Sequence, residues 1–370
     1  MKIIQILPEL QAGGVERGTL EVAAHLVSGG HESIVISNGG RMVAELEQAG
    51  SRHIRMPVHR KALASLGQIP RLREIFAEEK PDLIHVRSRL PAWLAWLAWK
   101  TMDRCTRPRF VSTVHGFYSV NAYSAVMTRG ERIIAVSASV RDYILKNYPK
   151  TDSARIRVIH RGVDPAVYPV GFEPDAGWLA DWKAAHFLLD GRIPLLMPAR
   201  LTRWKGQEDF IRLIARLIEL GRPVHGLIVG EPHPRKLAFL DELKALAVTL
   251  GVSQHLSFLG HRGDLREIMA VSALVFSLST DPEAFGRVSL EALALGKPVV
   301  AYDHGGVAEQ LQVIFPDGRV PVGDVEAAMA AVLDILDCRK IPAPIGPFTL
   351  QRMLDSTLAV YLELLESPVR

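Results

Sequence analysis

The stretch "SLSTDPEAFGRVSLEALALGKPVV", residues 277–300, sets the pattern for the whole chain. It passes from a strand end through a loop into a helix, stops at a glycine and starts a new strand. Apolar residues recur at helical spacing, Gly296 ends the pattern and Pro298 follows it, so the spacing predicts a helix from near Phe285 to Gly296. Two glutamates stand eight positions apart, Glu283 in the loop and Glu291 in the helix. The first amides of such a helix, at about Phe285 to Val288, have no partner in their own helix and suit an anion. Glu283 can accept hydrogen bonds from hydroxyl groups, and Glu291 can reach another part of the same ligand. The plain alternative is that Glu291 is an ordinary helix-surface residue.

Working outward, the alternation repeats. "KIIQIL" (2–7), "ESIVIS" (32–37), "PDLIHVR" (81–87), "PRFVSTVHG" (108–116) and "RIIAVS" (132–137) are strand-like, with helical segments between several of them. After residues 165–192 the pattern restarts with "PLLMPAR" (194–200), "VHGLIVG" (224–230), "LSFLG" (256–260), "ALVFSL" (273–278) and "PVVAYD" (298–303). Helices are expected in "QEDFIRLIARLIELG", "RKLAFLDELKALAVTLG" and "DLREIMAVS", and the last amphipathic segment is "LQRMLDSTLAVYLELL". Continuous rather than alternating hydrophobicity in the strands implies parallel sheets covered on both faces. Two α/β units, each of doubly wound size, follow.

The 370 residues favour two domains, and 48% hydrophobic with 23% charged residues is an ordinary globular balance. Residues 1–170 hold 24 Lys and Arg against 15 Asp and Glu, a balance of +9; the remainder holds 20 against 25, a balance of −5. The basic half is expected to meet something anionic. Cys105 and Cys338 fit neither a disulfide framework nor a metal site, so a reducing cytoplasm is expected. No apolar run reaches the roughly 18 residues of a membrane span, and the N-terminal run is too short for a signal peptide.

Two further loops carry chemistry. "PELQAGGVERG" follows the first strand, and its Gly13 and Gly14 let backbone approach a bound group; a plain glycine turn is the alternative. "PARLTRWKGQEDF" places Arg200 and Lys205 between a strand and a helix, which suits a diphosphate, although most such cations are merely solvated. The histidines show no metal-ligand spacing, no D-x-D occurs, and G-x-S-x-G is absent, which argues against a hydrolase elbow. In "SRLPAWLAWLAWK", Trp93, Trp96 and Trp99 fall on one helix side, flanked by Arg87, Arg89, Lys100 and Arg104. That helix either packs on the first sheet or lies at a membrane interface.

Seven motifs in order are "GGVER" (13–17), "VSTVHG" (111–116), "IIAVSASVRDYI" (133–144), "VIHRGVD" (158–164), "ARLTRWKG" (199–206), "FLGHRGDLREIMAVSALVFSLS" (258–279) and "EAFGRVSLEALALGKPVVAYDHGGVAE" (283–309). Together they resemble the retaining glycosyltransferases of family 4, with their E-x7-E region. The resemblance implies the GT-B fold: α/β, two Rossmann-like domains whose parallel sheets face an interdomain cleft. Boundaries are expected at 1–168 for an acceptor-binding domain and 169–345 for a nucleotide-sugar domain, with helix 346–370 packing back on the first. It implies that Gly14 lies against the donor phosphate and acceptor, and that His115 sits beside the donor sugar. Arg200 and Lys205 would neutralise the diphosphate. Backbone around His261 and Arg262 would frame the nucleobase. Glu283 would contact the sugar beside the amides of Phe285, Gly286 and Arg287, and Glu291 would hold the ribose. Ala284 and Arg287 depart from the family pattern, so donor preference does not transfer.

The activity so implied is metal-independent transfer of a sugar from a nucleotide-diphosphate donor to a glycan hydroxyl, with no cofactor. The basic first half points to a lipid-linked acceptor such as lipopolysaccharide core, at the anionic inner face of the cytoplasmic membrane, and to no nucleic acid. A nucleotide-sugar 2-epimerase of the same fold, or a non-catalytic nucleotide-sugar-binding subunit of a membrane assembly, remain alternatives.

Overall fold

The computed structural model describes residues 1–11, 13–60, 62–232 and 238–367. They divide into two compact units: unit 1 is Met1–His160 with the residues from Gln351 onward, and unit 2 is Arg161–Leu350.

Unit 1 runs β1 (Lys2–Ile6), α1 (Gly14–Ser28), β2 (Glu32–Ser37), α2 (Val43–Gln48), β3 (Arg52–Arg55), α3 (Gln68–Glu79), β4 (Leu83–Val86), α4 (Arg89–Lys100), β5 (Arg109–Val114), β6 (Arg132–Ala135), α5 (Ala138–Asn147) and β7 (Ile156–Val158). The strand order is β3-β2-β1-β4-β5-β6-β7, parallel throughout. Every residue of β4 and β5 is buried, as strands covered on both faces require.

Unit 2 runs α6 (Ala176–Ala185), β8 (Ile193–Pro198), α7 (Gln207–Glu219), β9 (Val224–Val229), α8 (Ala238–Thr249), β10 (Leu256–Gly260), α9 (Leu265–Val271), β11 (Leu274–Ser277), α10 (Arg287–Ala294), β12 (Val299–Tyr302), α11 (Gly305–Ile314), β13 (Arg319–Val320) and α12 (Val325–Asp337). The expected start of α8 at 235–237 lies outside the described residues. Its parallel sheet has the order β10-β9-β8-β11-β12-β13. α7 turns Phe210, Ile211, Leu213, Ile214 and Leu217 inward at helical spacing, and Phe210 meets Phe276 of β11 with ring centroids 5.1 Å apart.

In both sheets the order reverses beside the first strand of the unit. Connections leave β1 and β4 in opposite directions, as they do β8 and β11, which opens a crevice outside the C-terminal ends of each pair.

The last helix, α13 (Leu350–Glu366), fastens to unit 1. Buried Tyr361 places its hydroxyl 2.5 Å from His85 Nδ1, whose Nε2 meets Thr113 Oγ1 at 2.6 Å. Glu363 pairs with Arg132 at 2.9 Å and Arg157 at 2.5 Å.

The tryptophan helix is α4, and it packs. Trp99 is buried against Phe110, its Nε1 donating to the Pro108 carbonyl, and Trp93 Nε1 donates to the Tyr123 carbonyl. Arg129 covers the half-buried rings of Trp93 and Trp96. Arg87 is no surface cation: it is 1% exposed and its Nε donates to Gln5 Oε1 at 2.8 Å. No helix among the described residues is long and apolar enough to cross a membrane.

Candidate functional site

The crevice of unit 2 is bounded by the loops after β8 and β11, which carry Arg200, Lys205 and Glu283. α10 begins at Arg287, two residues later than the apolar spacing predicts, because Gly286 turns into the left-handed region with φ of 82°. A Cβ on Gly286 would stand 2.3 Å from Val307 Cγ2, so only glycine fits. The first-turn amides, which have no partner within the helix itself, are therefore those of Arg287, Val288 and Ser289.

Glu283 is held by one oxygen. Its Oε1 accepts from Ser279 Oγ at 2.7 Å and Ser277 Oγ at 3.3 Å, and lies 2.7 Å from Lys205 Nζ. No hydrogen bond among the described residues reaches its Oε2. Burial pushes this carboxyl up, but the Lys205 charge and hydrogen bond, with the two serine hydroxyls, outweigh it and hold Glu283 below the usual carboxylate range.

Backbone contacts fix the loops. Gly206, at φ of 78°, would put a Cβ 1.9 Å from the Leu278 carbonyl oxygen, and Thr280 N donates to the Trp204 carbonyl at 2.7 Å. Buried Gln207 donates from Nε2 to the Arg200 carbonyl at 3.0 Å. A third loop, after β12, locks the second: His304 Nε2 meets the Ser279 carbonyl at 2.6 Å, Gly306 N donates to the Glu283 carbonyl at 2.8 Å, and buried Gln310 donates to the carbonyls of Phe285 and Gly286. Ser277, Ser279, His304, Gly306 and Gln310 were missed in the sequence; only their nearness to the two glutamates hints at them.

The remaining residues fall in three groups. The Arg200 side chain is exposed and has no hydrogen-bond or ion-pair partner among the described residues. The Phe285 ring is buried against Phe348, so only its backbone faces a ligand. Arg287 Nε lies 3.8 Å from Glu291 Oε1, and at 20% and 16% exposed both are sheltered, which removes the plain surface alternative for Glu291. After β10, His261 is exposed, while Arg262 is forked onto Asp264 at 2.8 and 2.6 Å. Trp178, stacked on Trp182, donates to the same carboxylate at 2.8 Å. The Arg262 side chain is thereby committed to Asp264. Gly14 and His115 belong to unit 1: Gly14 is the exposed first residue of α1, and His115 follows β5, half-buried, its amide donating to the Tyr118 hydroxyl at 3.2 Å.

Cations, helix amides and an open carboxylate oxygen together suit a ligand that is anionic at one end and hydroxylated at the other. Residues 12–167 match the model described as Glycosyltransferase Family 4, and residues 180–349 the model described as Glycosyl transferases group 1. The chain is built of two glycosyltransferase-family domains. The D-inositol 3-phosphate glycosyltransferase of Geodermatophilus obscurus is 32% identical over 76% of this chain, and the chain spans 66% of that relative. The crystal structure of a glycosyltransferase from Rickettsia africae ESF-5 superposes with a TM-score of 0.86 at 29% identity, covering 99% of both chains. Anabaena Alr3699/HepE, solved in complex with UDP and glucose, shares the fold with a TM-score of 0.80 at 22% identity, covering 98% of this chain and 100% of that one. Both glycosyltransferase-family domains are thus Rossmann-like, and the glutamate pair belongs to the second.

Proposed function

We propose that this chain is a retaining, metal-independent glycosyltransferase that moves a sugar from a nucleotide-diphosphate donor to a hydroxyl of an anionic glycan or polyol. The observation that carries the proposal is Glu283, anchored through Oε1 by Lys205 and two serines and open at Oε2, beside the α10 amides in the crevice of unit 2.

In this reading Arg200, Lys205 and the first-turn amides of α10 take the diphosphate, and Glu283 Oε2 accepts from the sugar hydroxyls. Glu291 holds the ribose, and backbone at His261 and Arg262 frames the base. Gly14 and His115 serve the donor and acceptor from unit 1. The bond between the anomeric carbon and the diphosphate oxygen breaks, the acceptor oxygen bonds to the same face, and its proton passes to the departing diphosphate. The protein's main contribution is electrostatic: cations and amides fixed in place before negative charge develops on the leaving group.

The +9 balance of residues 1–170 favours a phosphorylated acceptor. That acceptor is either a lipid-linked envelope saccharide such as lipopolysaccharide core, met at the inner membrane face, or a soluble inositol phosphate of the kind named in the Geodermatophilus relative. Thermal stabilisation by a panel of nucleotide sugars identifies the donor by mass action. Transfer to phosphorylated core oligosaccharide and to inositol 3-phosphate, with the anomeric configuration read by NMR, then tests the rest. Failure of every nucleotide sugar to stabilise the chain overturns the reading, and an inverted product overturns its retaining half.

A further inference from the structure

Unit 1 carries a cavity at the edge of its sheet opposite Gly14 and His115. There, at the N-terminal ends of β4 and β5, the cavity, of about 620 Å3, opens between α3, α13 and the segment that joins α4 to β5. Its size falls within the range of roughly 300–1,000 Å3 typical of small-ligand sites. Phe76, Pro81, Met102 and Leu365 give it apolar walls.

The polar lining is unbalanced in charge. Lys80, Arg107 and Arg109 line the cavity with one carboxylate, Asp82. Two of these four are already committed: Arg109 pairs with Glu131 and donates to the Ser367 carbonyl, and Asp82 accepts the Lys2 amide at 2.7 Å. Lys80 and Arg107 have no ion-pair partner among the described residues. Arg107 stacks its guanidinium 3.5 Å from the Trp99 ring centroid, which covers one face and leaves the N–H edge to find another partner. Burial pulls Arg107 below its ordinary range, a desolvation cost that a bound anion would offset.

From this cavity we infer a binding site for an amphipathic anion, a single phosphate or carboxylate head on an apolar chain. Arg107 and Lys80 take the head, and the chain lies against Phe76, Pro81, Met102 and Leu365. Apolar walls alone would take a neutral ligand, and two surface cations alone would take any anion. Their combination in one cavity selects a molecule with both parts. The inference rests on unit 1 alone and does not depend on the donor site of unit 2.

Calorimetry on the full chain with monomeric dodecyl phosphate tests it, beside inorganic phosphate and an uncharged dodecyl glycoside. Dodecyl phosphate should bind at least tenfold tighter than either. Lys80→Asn should weaken it about tenfold; asparagine tolerates the left-handed backbone of position 80, where φ is 47°. Ala77→Trp, at an exposed lining position, should block the cavity with the melting temperature kept. Flotation with phosphatidylglycerol and phosphatidylcholine vesicles separates the sources: capture by the anionic vesicles that Ala77→Trp abolishes identifies a membrane lipid, and calorimetric binding without capture identifies a free amphiphile. No binding of dodecyl phosphate, equal binding of inorganic phosphate, or binding indifferent to both substitutions would overturn the inference.

Discussion

Replacing Lys205 with methionine removes a charge while keeping most of the volume, and so isolates what the ammonium does for Glu283. Lys205 Nζ lies 2.7 Å from Glu283 Oε1, and the two side chains are 15% and 20% exposed. Breaking a fully buried pair costs about 3–5 kcal/mol, and breaking an exposed one under about 1 kcal/mol. Partial exposure and the two remaining serine hydroxyls place this loss at about 2 kcal/mol. For a unit of this size that is a fall of about 4–8 °C in melting temperature at pH 7.

The pH dependence has a definite sign. In the wild type the folded pKa of Glu283 lies below its ordinary value of 4.5, so its contribution is complete above that value and is lost as pH falls through the folded one. Without Lys205, burial is opposed only by the two serine hydroxyls, so the folded pKa moves up and the carboxyl's stabilising contribution at neutral pH shrinks. The gap between the two melting curves should therefore be narrow near pH 4 and wide at pH 7. Thermal unfolding from pH 4 to 8 measures it, and a gap independent of pH refutes the assignment.

Arg200→Ala should leave the melting temperature within about 1 °C but lower kcat/KM by about thirty- to a thousandfold, or 2–4 kcal/mol; near-normal kinetics would remove Arg200 from the diphosphate site. Gly286→Ala should destabilise unit 2 by about 2–3 kcal/mol, since alanine pays both for the left-handed backbone and for contact with Val307; an unchanged denaturation midpoint would contradict that geometry. Glu291→Gln should weaken the free nucleoside diphosphate and the intact donor alike, and calorimetry showing loss of the donor alone would move Glu291 off the ribose. Transfer should continue undiminished after exhaustive treatment with a chelator; loss of activity restored by magnesium would end the metal-independent reading.

The sequence carried the layers of the fold because the strands are continuous apolar runs and the helices are punctuated by glycine. It also carried the Glu283 region, because a loop that ends in a glycine before an amphipathic helix is a local signal. What it could not carry was contact between loops distant in the chain. Nothing in "YDHGGVAEQ" announces that His304, Gly306 and Gln310 lock the carbonyls of residues 279–286, because those contacts exist only once β12 lies beside β11. The same limit explains Arg87 and the tryptophans of α4. Basic and aromatic residues read alike at a membrane and in a core, and the burial of Arg87 under Gln5 and α13 depends on a helix more than 250 residues away.

The central claim is that Glu283 recognises the sugar and not the nucleotide. Isothermal calorimetry of wild type and Glu283→Gln, each with the stabilising nucleotide sugar and with its nucleoside diphosphate, tests it directly. The account predicts donor binding weakened about tenfold or more by the substitution, with the nucleoside diphosphate bound as in the wild type. Equal losses for both ligands, or no loss for either, would contradict it.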